Sequence, residues 1–143
     1  ALNADVLYAL RAMGHGDDVV LADMNFPADA IARETTLGRL LRMENIDSGR
    51  AARAVLSVLP LDSFVKKPAE RMEVVGKPKE IPPVQKEVQK VIDKAEGKSW
   101  PMISVERYAF YERAKQAYAV IQTGERRFYG CFAFRKGVVP PDA

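Results

Sequence analysis

Val6, Leu10 and Met13 recur at i, i+4 and i+7 behind Asn3, a good N-cap, with Asp5 in the favourable first turn. The spacing predicts a short amphipathic helix that ends at Gly14. Asp18-Val19-Val20-Leu21-Ala22-Asp23 breaks that period, and four apolar residues between carboxylates read as a buried strand with Asp23 at its C-terminal end. Phe26-Pro27 then turns the chain. Leu37 to Met43 offers a second strand, after which Asp47 or Ser48 caps a helix with Ala52, Val55, Leu56 and Leu59 on one face, stopped at Pro60. A short strand is expected from Met72 to Val75. Pro82-Pro83 opens a helix whose Val84, Val88, Val91, Ile92 and Ala95 form an apolar stripe ending at Gly97.

Met102 to Val105 is strand-like again, and Arg107 to Ala117 reads as a helix with Phe110, Ala114 and Ala117 on one side. Tyr118 to Gln122 and Phe128 to Phe134 follow as two strands, joined by Thr123-Gly124-Glu125-Arg126 into a closing hairpin. Strands alternating with helices predict an α/β fold, three-layer α/β/α with a mixed β-sheet, as a single domain over residues 1–143. The only linker-like stretch, Lys66 to Pro83, is too short to separate two domains.

Composition narrows the function. The 143 residues carry 22 Lys and Arg against 19 Asp and Glu, a net charge of +3. These charges are interleaved along the chain and give little reason to expect nucleic-acid binding. No apolar run approaches the roughly 20 residues of a membrane-spanning helix, so no membrane partner is expected. There is one cysteine, Cys131, and one histidine, His15. A lone cysteine forms no internal disulfide and no secretory leader precedes Ala1, so a cytoplasmic setting is the expectation. The same two residues are too few for a structural zinc site, which needs four Cys or His ligands. Neither an EF-hand spacing nor a Walker-type loop is present, and no metal or organic cofactor is expected.

Four places could carry chemistry. Gly14-His15-Gly16-Asp17 presents an imidazole between two glycines, with Asp17 as the carboxylate expected beside it; a proton shuttle and a helix-capping histidine both fit. Asp23 falls at the strand end where open α/β sheets bind ligands, and it could equally cap a helix or turn. Glu106-Arg107-Tyr108-Ala109-Phe110-Tyr111-Glu112-Arg113-Ala114 concentrates forked donors and planar rings suited to a polyhydroxylated ligand, or else a solvated helix with i,i+4 pairs. Cys131 sits in the apolar alternation Phe128 to Phe134 and reads as a buried inert thiol, with Gly130 leaving room for a close approach to the backbone.

Taken together these blocks resemble the L-fucose mutarotase and D-ribose pyranase family. Met13 to Asp23 followed by Asn25-Phe26-Pro27 resembles its first signature, and Pro60-Leu61-Asp62-Ser63 its middle one. Glu106 to Ala114, Thr123-Gly124-Glu125, Tyr129-Gly130 and Lys136-Gly137-Val138 resemble the fucose branch, because the ribose branch typically has histidine at the place of Arg107. The resemblance implies interconversion of the α and β anomers of a free aldose, most simply L-fucose, with His15 as proton donor. It implies that Asp23, Arg107, Tyr111 and Tyr129, with the backbone after Tyr129 at Gly130 and Cys131, bind the monosaccharide. It also implies self-association into a ring-shaped homo-oligomer, often a decamer, with sites at subunit boundaries. Two departures stand out: Cys131 replaces the family's usual asparagine, and residues 32–45 differ from the family's usual run. A D-ribose pyranase activity and a non-catalytic monosaccharide-binding role are the alternatives.

Overall fold

The computed structural model describes residues 1–142. The elements follow in the order α1 (Ala4–Ala12), β1 (Asp18–Ala22), α2 (Ala28–Ala32), β2 (Leu41–Met43), α3 (Ser48–Leu56), β3 (Ala69–Met72), α4 (Pro83–Glu96), β4 (Ile103–Val105), α5 (Arg107–Lys115), β5 (Ala119–Thr123) and β6 (Phe132–Arg135). The strands form one six-stranded sheet in the order β2-β5-β1-β6-β3-β4. β6 runs antiparallel to both β1 and β3, while the β1·β5, β2·β5 and β3·β4 pairs are parallel. The sheet is therefore mixed.

Alternation along the strands sets the layers. Val19 and Leu21 of β1 join Leu41, Met43, Phe132 and Phe134 beneath α1, α3 and α4, whose Leu10, Val55, Val88 and Ile92 complete that core. Val20 and Ala22 face the other way and pack with Val120 and Ala133 against Ile31 of α2 and Phe110 and Ala114 of α5. All five residues of β1 are buried, as a strand covered on both faces requires. This is the three-layer arrangement that the pattern predicts.

The hairpin expectation is corrected: β5 and β6 do not pair, but lie on opposite sides of β1. Anchors along the connection explain this. Thr123 Oγ1 donates to Ala22 O at 2.9 Å, the Gly124 N–H donates to Ile46 O at 2.8 Å, and the Met24 N–H donates to Glu125 O at 2.8 Å. The chain is held across the top of β1 and cannot fold straight back. The strand expected at Phe128 to Phe134 shortens to Phe132–Arg135 because Tyr129 takes a left-handed conformation, φ 63°. The Leu37 strand begins only at Leu41, after a turn at Gly38, and the strand expected at Met72 to Val75 lies earlier, at Ala69–Met72. The short helix α2 has no sequence signal beyond Pro27 in front of it.

Among the described residues, no helix is long and apolar enough to cross a membrane. Arg113 of α5 spans the sheet's middle, donating to Asp18 at the start of β1 (2.8 Å) and to Glu70 of β3 (2.5 Å). Replacing it leaves two largely buried carboxylates without their shared cation. Arg113→Ala is expected to lower the unfolding free energy by about 3 kcal/mol in urea titrations, whereas Arg33→Ala, removing an exposed pair with Asp29, changes it by under about 0.5 kcal/mol.

Candidate functional site

Asp23 directly follows β1 at the carboxyl edge of the sheet, where loops from several elements converge. Its carboxylate is 4% exposed and takes three backbone donors: Oδ1 accepts from Asn25 (3.0 Å) and Phe26 (2.9 Å), and Oδ2 accepts from Gly130 (3.1 Å). One side chain thus ties the loop leaving β1 to the loop entering β6. Around it opens a cavity of about 190 Å³, lined by Asp23, Arg107, Tyr111, Tyr129 and Cys131 with apolar Phe26, Met72 and Phe128. That is below the roughly 300–1,000 Å³ of drug-sized sites and suits a small ligand.

Arg107 and Tyr111 come from the first turns of α5. Arg107 Nε donates to the Tyr111 hydroxyl at 3.0 Å, and its guanidinium lies over the rings of Tyr108 and Tyr111 at 5.1 and 5.5 Å. The Tyr111 ring in turn packs edge-on against Phe26 at 5.3 Å. The rest of the α5 block is structural: Glu106 caps the helix by accepting from the Tyr108 and Ala109 N–H groups, and Arg113 belongs to the ion pairs beneath the sheet. Cys131 lies in the cavity floor, 1% exposed, where its Sγ accepts from the Asp23 N–H at 3.5 Å. Burial and the neighbouring Asp23 charge push its thiol well above the ordinary cysteine range, so it is neutral.

Gly130 is required by close packing. A Cβ there would stand 2.8 Å from Glu125 Cγ and 2.9 Å from Ser48 Oγ, so the close approach expected at this glycine is made by the protein itself. Those neighbours form a brace that the sequence reading did not connect, with Ser48 read only as a cap candidate and Glu125 only within Thr123-Gly124-Glu125. Buried Glu125 accepts from the Ser48 N–H (3.1 Å) and from the Arg127 backbone and guanidinium (2.9–3.0 Å), and Arg127 continues to Glu87 of α4. Burial opposes ionisation of Glu125, yet the Arg127 and Ser48 hydrogen bonds outweigh it and bring its pKa down to about 2.

His15 is not part of this cavity. It precedes the opposite end of β1, a strand whose five residues span about 16 Å at about 3.3 Å each. Its Nε2 pairs with Asp62 Oδ1 at 2.9 Å, and its ring packs edge-to-face with Phe64, centroids 4.9 Å apart. The expected neighbour Asp17 is turned instead to the Gly14 N–H at 2.7 Å. Asp62 is 3% exposed, and although burial opposes its ionisation, the Phe64 N–H and His15 hold its carboxyl below the usual range. Buried Lys136 fixes this loop from below, donating to Leu10 O and Met13 O at 2.7 Å. Asp62 was legible only as part of Pro60-Leu61-Asp62-Ser63.

The profile of the RbsD / FucU transport protein family matches residues 1–139. The chain belongs to the RbsD / FucU family. Fucose mutarotase of Homo sapiens is 43% identical over 141 residues, covering 96% of this chain and 90% of that protein. FucU from Bifidobacterium longum is 38% identical with a TM-score of 0.88, covering 97% of this chain and 96% of that one. The fucose mutarotase of Streptococcus pneumoniae, solved in complex with L-fucose, is 33% identical with a TM-score of 0.87, covering 97% and 95%. This chain carries both the Asp23 cavity and the distant His15–Asp62 pair on one small sheet.

The Glu125 brace has a measurable pH signature. With a folded pKa of about 2 against 4.5 for the free group, its stabilisation is fully present above about pH 5 and is lost as pH falls through 2. Between pH 5 and 2, acid titration of unfolding free energy is expected to cost the wild type on the order of 3 kcal/mol more than Glu125→Gln. Parallel curves would contradict the assignment.

Proposed function

We propose that this protein catalyses the interconversion of the α and β anomers of L-fucose, as an isomerase of free monosaccharides. The observation that carries the proposal is the cavity at the end of β1. There a carboxylate, a guanidinium and two tyrosines surround a space sized for one small ligand, in a chain 43% identical to a fucose mutarotase. Hydroxyls need charged and phenolic partners, while the C–H faces and the methyl group of a 6-deoxy sugar pack on apolar Phe26, Met72 and Phe128.

The reaction needs no redox step. The anomeric hydroxyl gives up its proton to a base, the ring oxygen gains a proton, and the C1–O5 bond breaks to leave the open aldehyde. Rotation about C1–C2 and reclosure on the other carbonyl face, with the proton movements reversed, yields the second anomer. Asp23, held rigidly by its three backbone donors, orients a sugar hydroxyl. Arg107, Tyr111 and Tyr129 hold the others, and Cys131 closes the floor, with Gly130 behind it tying this loop to Asp23. His15 is the acid/base: with Nε2 committed to Asp62, the other ring nitrogen exchanges protons with the sugar.

Because His15 and the cavity lie at opposite ends of β1 within one chain, the proposal includes a second copy that delivers it. Exposed apolar side chains at the two ends support this arrangement. Phe64, 76% exposed, packs on His15, and Phe128, 73% exposed, rims the Asp23 cavity. Different patches meeting head to tail generate a ring, of which a decamer of stacked rings is one form. A cytoplasmic setting belongs to the same proposal, since the single cysteine is a buried free thiol.

Saturation-transfer NMR between the α and β signals of L-fucose tests the reading. The wild type is expected to speed exchange, and His15→Ala to reduce it by at least about 100-fold while fucose still binds. Saturable binding of fucose by the wild type without faster exchange would leave a sugar-binding protein, and faster exchange for D-ribose than for L-fucose would make it a pyranase.

A further inference from the structure

We propose that Gln85 is a positioning residue for the sugar site: its amide holds Tyr129 in the backbone conformation that presents the tyrosine to the cavity. The inference rests on the reading that Tyr129 touches the sugar.

Gln85 lies in the first turns of α4 and is fully buried. Val84, Val88 and Ile92 supply the helix's apolar face, so packing alone gives no reason for an amide here. Its hydrogen bonds do. Nε2 donates to Met72 O at 2.7 Å and to Tyr129 O at 3.1 Å, while Oε1 accepts from Arg71 Nη1 at 2.9 Å. Arg71, itself 8% exposed, also donates to Glu80 O at 3.3 Å. A guanidinium can only donate, so it fixes which end of the amide is the acceptor and aims both N–H groups at the two carbonyls.

Those carbonyls belong to the two segments that wall the cavity, the end of β3 at Met72 and the loop before β6 at Tyr129. Tyr129 is held at φ 63°, a conformation a tyrosine adopts only under restraint. Its hydroxyl accepts from the Val75 N–H at 3.2 Å, which ties the ring to the same wall. Asp23 grips the other side of that same peptide group, accepting from the Gly130 N–H. Gln85 restrains the carbonyl side of Tyr129, and without it the loop relaxes toward ordinary φ values and carries the ring away.

The dependence of anomer exchange on L-fucose concentration tests this. Gln85→Leu is expected to raise KM about tenfold with kcat changed less than about twofold, the pattern of lost ground-state binding. Gln85→Glu keeps the length and the Arg71 partner but, as a carboxylate, offers no N–H to either carbonyl. It is expected to act in the same direction, which preserves the test if the leucine variant does not fold. In a Tyr129→Ala background, Gln85→Glu is expected to leave KM unchanged, because the residue it positions is gone. A Gln85 variant that lowers the melting temperature but not sugar affinity, or one that shifts KM equally in both backgrounds, overturns the proposal. Normal KM in Tyr129→Ala alone would instead overturn the placement of Tyr129 in the sugar site, and this inference with it.

Discussion

The Asp23 carboxylate is the joint on which the carboxyl edge of the sheet depends. A buried carboxylate is tolerated only when its lone pairs are met, and here three backbone N–H groups meet them from two separate loops. That arrangement fixes the turn at Phe26, so that Phe26 can pack edge-on against Tyr111, and it fixes Gly130, so that its neighbours Tyr129 and Cys131 both line the cavity. Ser48 of α3, which braces Glu125, and Gln85 of α4, aimed by Arg71 of β3, hold the same loop. Preorganisation of this kind suits a reaction in which binding groups must hold a flexible open-chain intermediate without letting it leave.

Much of the fold is written in local pattern. The burial of β1 on both faces, the Asn3 and Asp47 caps, Pro83 opening α4 and Gly97 ending it all follow from residue type and spacing. The hairpin does not, because a turn signature reports only that the chain bends. Which strand it returns to is decided by contacts distant in sequence, from Thr123 to Ala22 and from Gly124 to Ile46. The left-handed Tyr129 is likewise imposed by tertiary partners against the preference of its side chain.

The site shows the same division. Asp23, Arg107, Tyr111, Tyr129 and Cys131 were legible and line one cavity, since a strand end and a helix start mark where such side chains emerge, whereas Gly130 packs behind it against Glu125 and Ser48. Gln85 was not singled out, and Glu125 and Asp62 entered only within Thr123-Gly124-Glu125 and Pro60-Leu61-Asp62-Ser63, because their roles are hydrogen bonds spanning 13 to 77 residues of sequence that no period reveals. His15 was legible by its glycines and its uniqueness, but its distance from the cavity emerges only from the run of β1. The proposed function assigns the acid/base to one end of the small sheet and the sugar-binding groups to the other, and it relies on association of copies to bring them together.

Shared construction of the site is therefore the central claim, and co-expression of two defective variants tests it. His15→Ala and Arg107→Ala, each inactive alone, should assemble at random into rings. A junction where an intact His15 meets an intact Arg107 then arises with a probability of about one quarter in a head-to-tail ring. Saturation-transfer NMR is predicted to find about a quarter of wild-type L-fucose exchange in the mixture. A mixture as inactive as its components would contradict a site shared between copies.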